Sequence, residues 1–555
     1  MNIYFYILLL FLFFVIISTV TYSYYQDNSH NVIYVHSELY NQINIHTNDT
    51  WNISSTTVII DSQTLIISKN VVIQNNGTLI LRNSTLKINS SHENGLQIEV
   101  LGSGNLTIIN STITSLNSTN DYYIKICNDA HFYMDNSEVS YAGLMLDERR
   151  ETVGIFINAS DVVIKNSKIH HNLYGIRFVN VSNCLIINNT IAECNVGLEF
   201  VFAYNNTIIS NRLSSNTVEG IHLLYSCNNS VVNNTITSSY NYAIGMSLDF
   251  SQSNNITGNR VSGTVAGISL SESHNNYINN NVIYNNDEGI HLSGSDNNII
   301  TNNTIYNNDI GIYLFTVDSN NRITHNVVYD NEVGIRVWYS DNNSILGNYL
   351  SDNTCAISLS TTKNMTIYHN IITNNMKGIF LQYSDYSTIA NNTVTRGNIG
   401  IHIDKSRNNF ITNNTILNNE IGVIFESSSN NNLLNNVFLN NSYGIQLNNS
   451  YSNYVINNSI TNNEFGIFLR RSYYNIIYGN SIANNSYGVY LERANNNFLA
   501  DNEFDSNIIA MVQIISAEDI IISATLLVLI VLLLGILLLL KKKNEKSYNN
   551  TLKRY

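Results

Sequence analysis

Gly444-Ile445-Gln446-Leu447-Asn448-Asn449-Ser450-Tyr451-Ser452-Asn453-Tyr454-Val455-Ile456-Asn457-Asn458-Ser459-Ile460-Thr461-Asn462-Asn463 decides the fold of this chain. Ile445 and Leu447 alternate with Gln446 and Asn448, the period-two signature of a half-buried strand. A Ser/Asn corner follows, then Val455-Ile456, an Asn-Asn corner, Ile460, and a second Asn-Asn corner. No apolar run is long enough or correctly spaced for a helix. Three very short strands and three corners make one coil, and one coil cannot bury its own Ile and Leu side chains.

The same phrase recurs along the chain. A small residue followed by an aliphatic one marks Gly154-Ile155, Gly175-Ile176, Gly197-Leu198, Gly220-Ile221, Ala243-Ile244, Gly267-Ile268 and so on to Ala510-Met511. The steps are 21 to 24 residues, and every step from Gly334 onward is 22. A fixed period of this size outranks any local reading and predicts stacked coils with like residues on like. Asn326, Asn348 and Asn370 begin a column that repeats every 22 residues to Asn502. An Asn amide both donates and accepts, so it can bond the coils on either side, and Asn tolerates the left-handed corners that tight turns need.

The pattern G-I-x-L-x-x-S-x-x-N-x-I-x-x-N-x-I-x-x-N resembles the right-handed parallel β-helix repeats of the NosD-like, pectin-lyase-like superfamily. The resemblance implies an all-β, single-stranded right-handed parallel β-helix of about 22 residues per coil. It implies no single activity, because that fold carries lyases, hydrolases, epimerases, adhesins and surface proteins.

The boundaries follow from the pattern. Residues 1–23 contain an apolar run, Ile3 to Ile17, that reads as a signal peptide or an N-terminal anchor. Residues 24–57 are read as an N-terminal cap, 58–153 as irregular coils and 154–515 as the regular repeats. Ile520 to Leu540 is uncharged over 21 residues, about 31 Å as a helix, and predicts one transmembrane helix. Lys541-Lys542-Lys543 open a basic tail, 541–555, which the positive-inside rule places in the cytoplasm with the β-helix outside.

Composition narrows the partners. The 555 residues include 99 Asn and no Pro, and the net charge is −13. The acidic balance disfavours nucleic acid and anionic membrane surfaces. N-x-S/T acceptors recur, as at Asn391, Asn413 and Asn457, so an exported chain could carry glycans. Five cysteines lack metal-ligand spacing, and Cys184 with Cys194 is the candidate disulfide.

Candidate sites lie on the outward face of the first strand of each coil, two and four residues after the marker glycine. That stripe carries Tyr313 and Phe315, then Arg336 and Trp338, with Tyr339 beside them, then Phe380 with Tyr383. Aromatic planes stacked along a coil suit sugar-ring faces, so these six are the expected carbohydrate-binding residues. His402 and Asp404 follow, then Glu426 one coil on. Two carboxylates about one strand spacing apart, roughly 5 Å, suit retaining glycoside hydrolysis, which makes His402, Asp404 and Glu426 the catalytic candidates. Sugar-active members of the superfamily carry tight acidic motifs such as Asp-Pro-His-Asp, and none is present here. Asp296, Asp318 and Asp341 recur at one position of consecutive coils, which makes them a candidate Ca²⁺ column. His222, His291 and His402 lie several coils apart and cannot share a metal. The chain therefore reads as a membrane-anchored β-helix on a prokaryotic cell surface, binding or displayed at polysaccharide or glycoprotein. The alternative is a polysaccharide-active hydrolase, lyase or epimerase.

Overall fold

The computed structural model describes residues 50–514 apart from 91–94, 120–121, 144–153 and 241, together with strands at 25–27, 32–35 and 42–45 and helical residues at 528–538 and 540–542. The chain divides into two units, Met1–Ile371 and Ile372–Tyr555, and each is a stack of parallel β coils. In the first unit, Val196–Val201, Thr207–Ile209 and Arg212–Ser214 make one coil, and Glu219–Leu224, Ser230–Val232 and Thr235–Thr237 make the next. They pair in parallel, with Leu198 opposite Ile221 and Phe200 opposite Leu223. In the second unit Ile445 stands opposite Ile467 and Leu447 opposite Leu469. Ile445, Leu447, Val455 and Ile460 are all fully buried, so one coil's apolar positions are shared out among three sheets around one interior.

The Asn-Asn doublets divide their labour. Asn413 sits in the left-handed region at φ 55°, where it turns the corner. Asn414, the next residue, is fully buried. The backbone N–H and the Nδ2–H of Asn392 both donate to Asn414 Oδ1, at 2.9 and 3.0 Å. Asn414 Nδ2 donates back to the Ile389 carbonyl at 2.8 Å and forward to Asn436 Oδ1 at 3.0 Å. Each buried amide thus satisfies peptide groups that a corner would otherwise strand in the interior.

The marker glycines are small because backbones pass close to them. A Cβ on Gly220 would lie 2.6 Å from the Gly245 carbonyl oxygen. That contact also corrects one marker. The strand Ile244–Asp249 pairs Met246 with Ile221, so the marker is Gly245 rather than Ala243, and that coil is longer than the spacing suggested.

The N-terminal boundary differs from expectation. The stack begins before residue 58: Val32–Val35, Gln42–Ile45 and Trp51–Ser54 pair in parallel with Thr57–Asp61, Thr64–Ile67 and Val71–Gln74. The strands Val32–Val35, Gln42–Ile45 and Trp51–Ser54 thus contribute a coil, and Tyr25–Asp27 adds an antiparallel strand at its edge. At the other end, no described helix is long and apolar enough to cross a membrane. The helical residues 528–538 fall inside the expected span 520–540, whose remainder lies almost wholly outside the described residues, as do 1–23, most of 541–555 and the charge cluster Asp147–Glu151. None of the five cysteines forms a disulfide among the described residues, and Cys184 and Cys194 are both buried. Burial pushes the Cys184 thiol up to about 11 and the Cys194 thiol up to about 12.

Candidate functional site

Registry turns the outward positions of the first strands into columns. In the first unit one column runs Arg177, Glu199, His222, Ser247, Ser269, His291, Tyr313, Arg336. Beside it runs Asp249, Ser271, Ser293, Phe315, Trp338.

Four of the six aromatic candidates meet at the later end of this face. Phe315 and Trp338 lie 5.2 Å apart between ring centres, and Trp338 and Tyr339 5.1 Å. Tyr313 touches Phe315 at 5.5 Å and His291 at 5.4 Å, edge to face. The Arg336 guanidinium lies 5.4 Å from the Tyr313 ring centre. Tyr313 is therefore buried, whereas Tyr339 is 53% exposed at a left-handed corner. The surface offered to a ligand is Phe315, Trp338 and Tyr339.

Phe380 and Tyr383 belong to the second unit. Lys377 Nζ lies 4.7 Å from the Phe380 ring centre and Lys405 Nζ 5.3 Å from that of Tyr383. Tyr383, Asp385, Lys405, Arg407 and Ser427 line a shallow cleft of about 380 Å³. His402, Asp404 and Glu426 share this face. Asp404 stands directly opposite Glu426, and His402 opposite Ile424. His402 Nε2 lies 3.2 Å from Glu426 Oε2, and Asp404 Oδ2 accepts from Gln382 Nε2 at 3.0 Å. Burial holds the His402 imidazole below its ordinary value although Glu426 pulls the other way. His402 is thus neutral at neutral pH, with a buried and unpartnered Nδ1. Asp404 is buried, while Glu426 has a side chain 46% exposed.

A charged cluster earlier along the same face of the first unit was not among the sequence candidates. Arg177 pairs with Glu199. His222 Nδ1 lies 3.1 Å from Glu219 and 3.6 Å from Glu199, and its Nε2 lies 2.9 Å from Asp249. Burial, the largest influence on His222, opposes its charge, yet hydrogen bonds to Asp249, Glu199 and Glu219 push it up to about 11. Burial likewise raises Glu199, but His222 and Arg177 more than offset it and leave the carboxyl below its ordinary value. One corner beyond lies a ladder of exposed rings: Phe202 on Tyr225 at 5.1 Å and Tyr225 on Phe250 at 4.9 Å, nearly parallel. The marker rule does reach these residues, because Arg177, Glu199 and His222 each stand two after a marker glycine. Asp249 joins the stripe only when the marker moves from Ala243 to Gly245.

The proposed Ca²⁺ column is corrected. Asp296 Oδ1 accepts from the Ser319 N–H at 2.7 Å, and Asp341 Oδ1 from the Lys363 N–H at 2.7 Å, both at an outer corner. Asp318 is instead fully buried in the neighbouring column, accepting from the Ser295 N–H at 2.6 Å. The coil that holds it is one residue longer, as the 23-residue step from Asn298 to Asn321 shows, and this displaces Asp318 inward. Three carboxylates on one outer column are not what the fold builds.

A family profile described as "Periplasmic copper-binding protein (NosD)" matches residues 135–314 and 310–443, more than half of the chain, and one described as "Right handed beta helix region" matches 377–526. The chain belongs to the NosD family. No curated protein sequence matches it. Solved structures similar to this NosD-family chain include the Dettilon tailspike protein (gp208), 18% identical over 58% of this chain and 67% of that one, TM-score 0.40. PfbA, a surface adhesin of Streptococcus pneumoniae, is 13% identical over 60% and 85%, TM-score 0.35. The periplasmic alginate epimerase AlgG is 14% identical over 73% and 85%, TM-score 0.27.

The family description names copper, and the donors of this NosD chain answer it unevenly. His222 and His402 are tied to the carboxylates named above, and His291 Nδ1 to Glu288 at 2.6 Å. Among the described residues one group brings three donors within metal reach: His170, His171 and Glu193, on a different corner. Two imidazoles and a carboxylate are a donor set that fits a d-block divalent cation.

Proposed function

We propose that this chain binds polysaccharide along the outer face of the first-strand sheet of its first unit. The observation that carries this reading is a serine floor with rings at both ends, exposed at the first and half-buried to exposed at the second. Phe202, Tyr225 and Phe250 stand at one end, and Phe315, Trp338 and Tyr339 at the other. Between them the outward column residues include Ser269, Ser271 and Ser293. Four coil steps separate Phe250 from Tyr339, about 19 Å at the strand spacing, room for a short run of sugar rings. Rings supply apolar planes for sugar faces, serines supply hydroxyl partners, and the short floor side chains leave depth. Binding to a panel of neutral and acidic polysaccharides tests it. Tyr225→Ala and Trp338→Ala should each weaken binding about tenfold, the loss of roughly 1.4 kcal/mol. Unchanged affinity in both variants would overturn it.

The setting is proposed as a cell surface, with polysaccharide or glycoprotein as partner and the apolar run 520–540 as a single membrane anchor, the β-helix outside and the C-terminus in the cytoplasm. Two features support the anchor. Lys541-Lys542-Lys543 follow the run directly, and the last coil leaves Phe498, Phe504, Ile508, Met511 and Ile514 exposed just before it.

A second reading rests on the second unit. Asp404 and Glu426 face each other at one strand spacing, about 5 Å, the separation that suits a nucleophile and an acid in retaining glycoside hydrolysis. Release of reducing ends from a polysaccharide, abolished in Glu426→Gln and in Asp404→Asn, would establish it.

A further inference from the structure

His170 closes the strand Lys168–His170, and His171 follows it at a left-handed corner, φ 55°. Glu193 occupies the same kind of corner on the next coil, also at φ 55°, and lies 2.5 Å from His171 Nε2. On the preceding coil, Glu138 Oε1 lies 2.7 Å from His170 Nε2. The Tyr141 ring stacks on His171 at 4.8 Å. The two Nδ1 atoms face each other at 2.6 Å.

Proton accounting makes this arrangement incomplete as drawn. A carboxylate only accepts, so Glu138 requires a proton on His170 Nε2. A neutral His170 then has a bare lone pair at Nδ1. Glu193 makes the same demand of His171 Nε2, which leaves a second bare lone pair at Nδ1. Two nitrogen lone pairs at this distance repel unless a cation, proton or metal, lies between them.

We propose that His170, His171 and Glu193 bind a divalent d-block cation, with Glu138 orienting His170 from outside the coordination shell. The two Nδ1 atoms open to roughly 3.3 Å for a tetrahedral ion at about 2.0–2.1 Å, and the half-exposed Glu193 turns to supply the third ligand. A carboxylate on the far nitrogen of a ligating imidazole fixes its tautomer and raises its basicity. Imidazole donors exclude Ca²⁺ and Mg²⁺ and favour Cu²⁺ over Zn²⁺.

Titration of the metal-free full-length chain with Cu²⁺, Zn²⁺ and Ca²⁺, read by calorimetry and by Cu²⁺ electron paramagnetic resonance, tests the proposal. One Cu²⁺ per chain with coupling to two nitrogens is expected, weaker binding of Zn²⁺, and no Ca²⁺ binding. His170→Ala/His171→Ala should abolish that signal, and Glu138→Gln should weaken affinity 10–100-fold while keeping the two-nitrogen signature. Glu193→Gln, a half-exposed change that spares the fold, should also weaken it, and His369→Ala should leave it unchanged. A stoichiometric site that survives the double variant, or no site in the native chain, overturns the proposal; the second result assigns a proton to the gap between the rings.

Discussion

His222 is a fixed cation, which bears on what the buried charges of the first unit do. A general base must shed its proton near working pH, and a group pushed up to about 11 does not. The cluster therefore holds the coils together and sets the field at the ring ladder rather than moving protons. Its pH dependence has two signs. His222, raised above its unfolded value near 6.5, stabilises fully below that value and loses its contribution as pH rises through about 11. Glu199, lowered from 4.5, stabilises above that value and loses its contribution as pH falls through its lowered folded value. His222→Ala takes the cation from Glu219 and Asp249 and leaves Glu199 with Arg177 alone, and should cost about 3–5 kcal/mol at pH 7, seen as a lower melting temperature. Asp318 has the opposite character. Burial pushes its carboxyl up to about 7, and Oδ2 has no partner. A raised carboxyl destabilises the fold increasingly as pH climbs from its unfolded value through about 7. Asp318→Asn should therefore raise the melting temperature at pH 8, a gain of about 2–4 kcal/mol, and change little at pH 4.

At the scale of the element, corner and ladder residues with the same side chain carry different energies. Asn413 and Asn414 are adjacent, yet one turns the chain in solvent contact and the other fills the interior. Asn414→Ala removes an acceptor from two donors of Asn392 and a donor from the Ile389 carbonyl, and should cost about 1–3 kcal/mol for each group left unpaired. Asn413→Gly should be nearly neutral, because glycine accepts φ 55° freely. Calorimetric melting of the pair separates the two roles. The doublets are legible in the sequence as corners, and the 22-residue period gives the ladder, because every step from Gly334 onward is 22 and the Asn column recurs in register from Asn326 to Asn502. The longer coils are less legible. Between Gly220 and Gly245 and between Asn298 and Asn321 the added residues are ordinary ones, and only pairing shows which column absorbs them. Both misplacements, Ala243 for Gly245 and Asp318 in an outer column, come from spacing read through an insertion.

Over the whole chain, periodicity exposes the stack but not the chemistry on it. Period and alternation specify which residues face out. They do not specify which outward neighbours bond, so the Arg177 to Asp249 cluster and the Phe202, Tyr225, Phe250 ladder emerge from registry alone. The membrane reading rests on the opposite kind of signal, one local run with no periodicity. Ile520 to Leu540 is uncharged and long enough for a bilayer, and three lysines end it. The last coil adds an argument of its own, since a solenoid end that exposes Phe498, Phe504, Ile508 and Met511 leaves apolar surface that water disfavours. A bilayer beside that end would cover the surface and receive the run together. The full-length chain should therefore sediment with membranes and resist alkaline carbonate, while a chain ending at Ser516 should stay in the supernatant. Protease added outside intact cells should remove the β-helix and spare the lysine tail. Carbonate extraction of the full-length chain would sink the anchor and leave the coil end needing another cover.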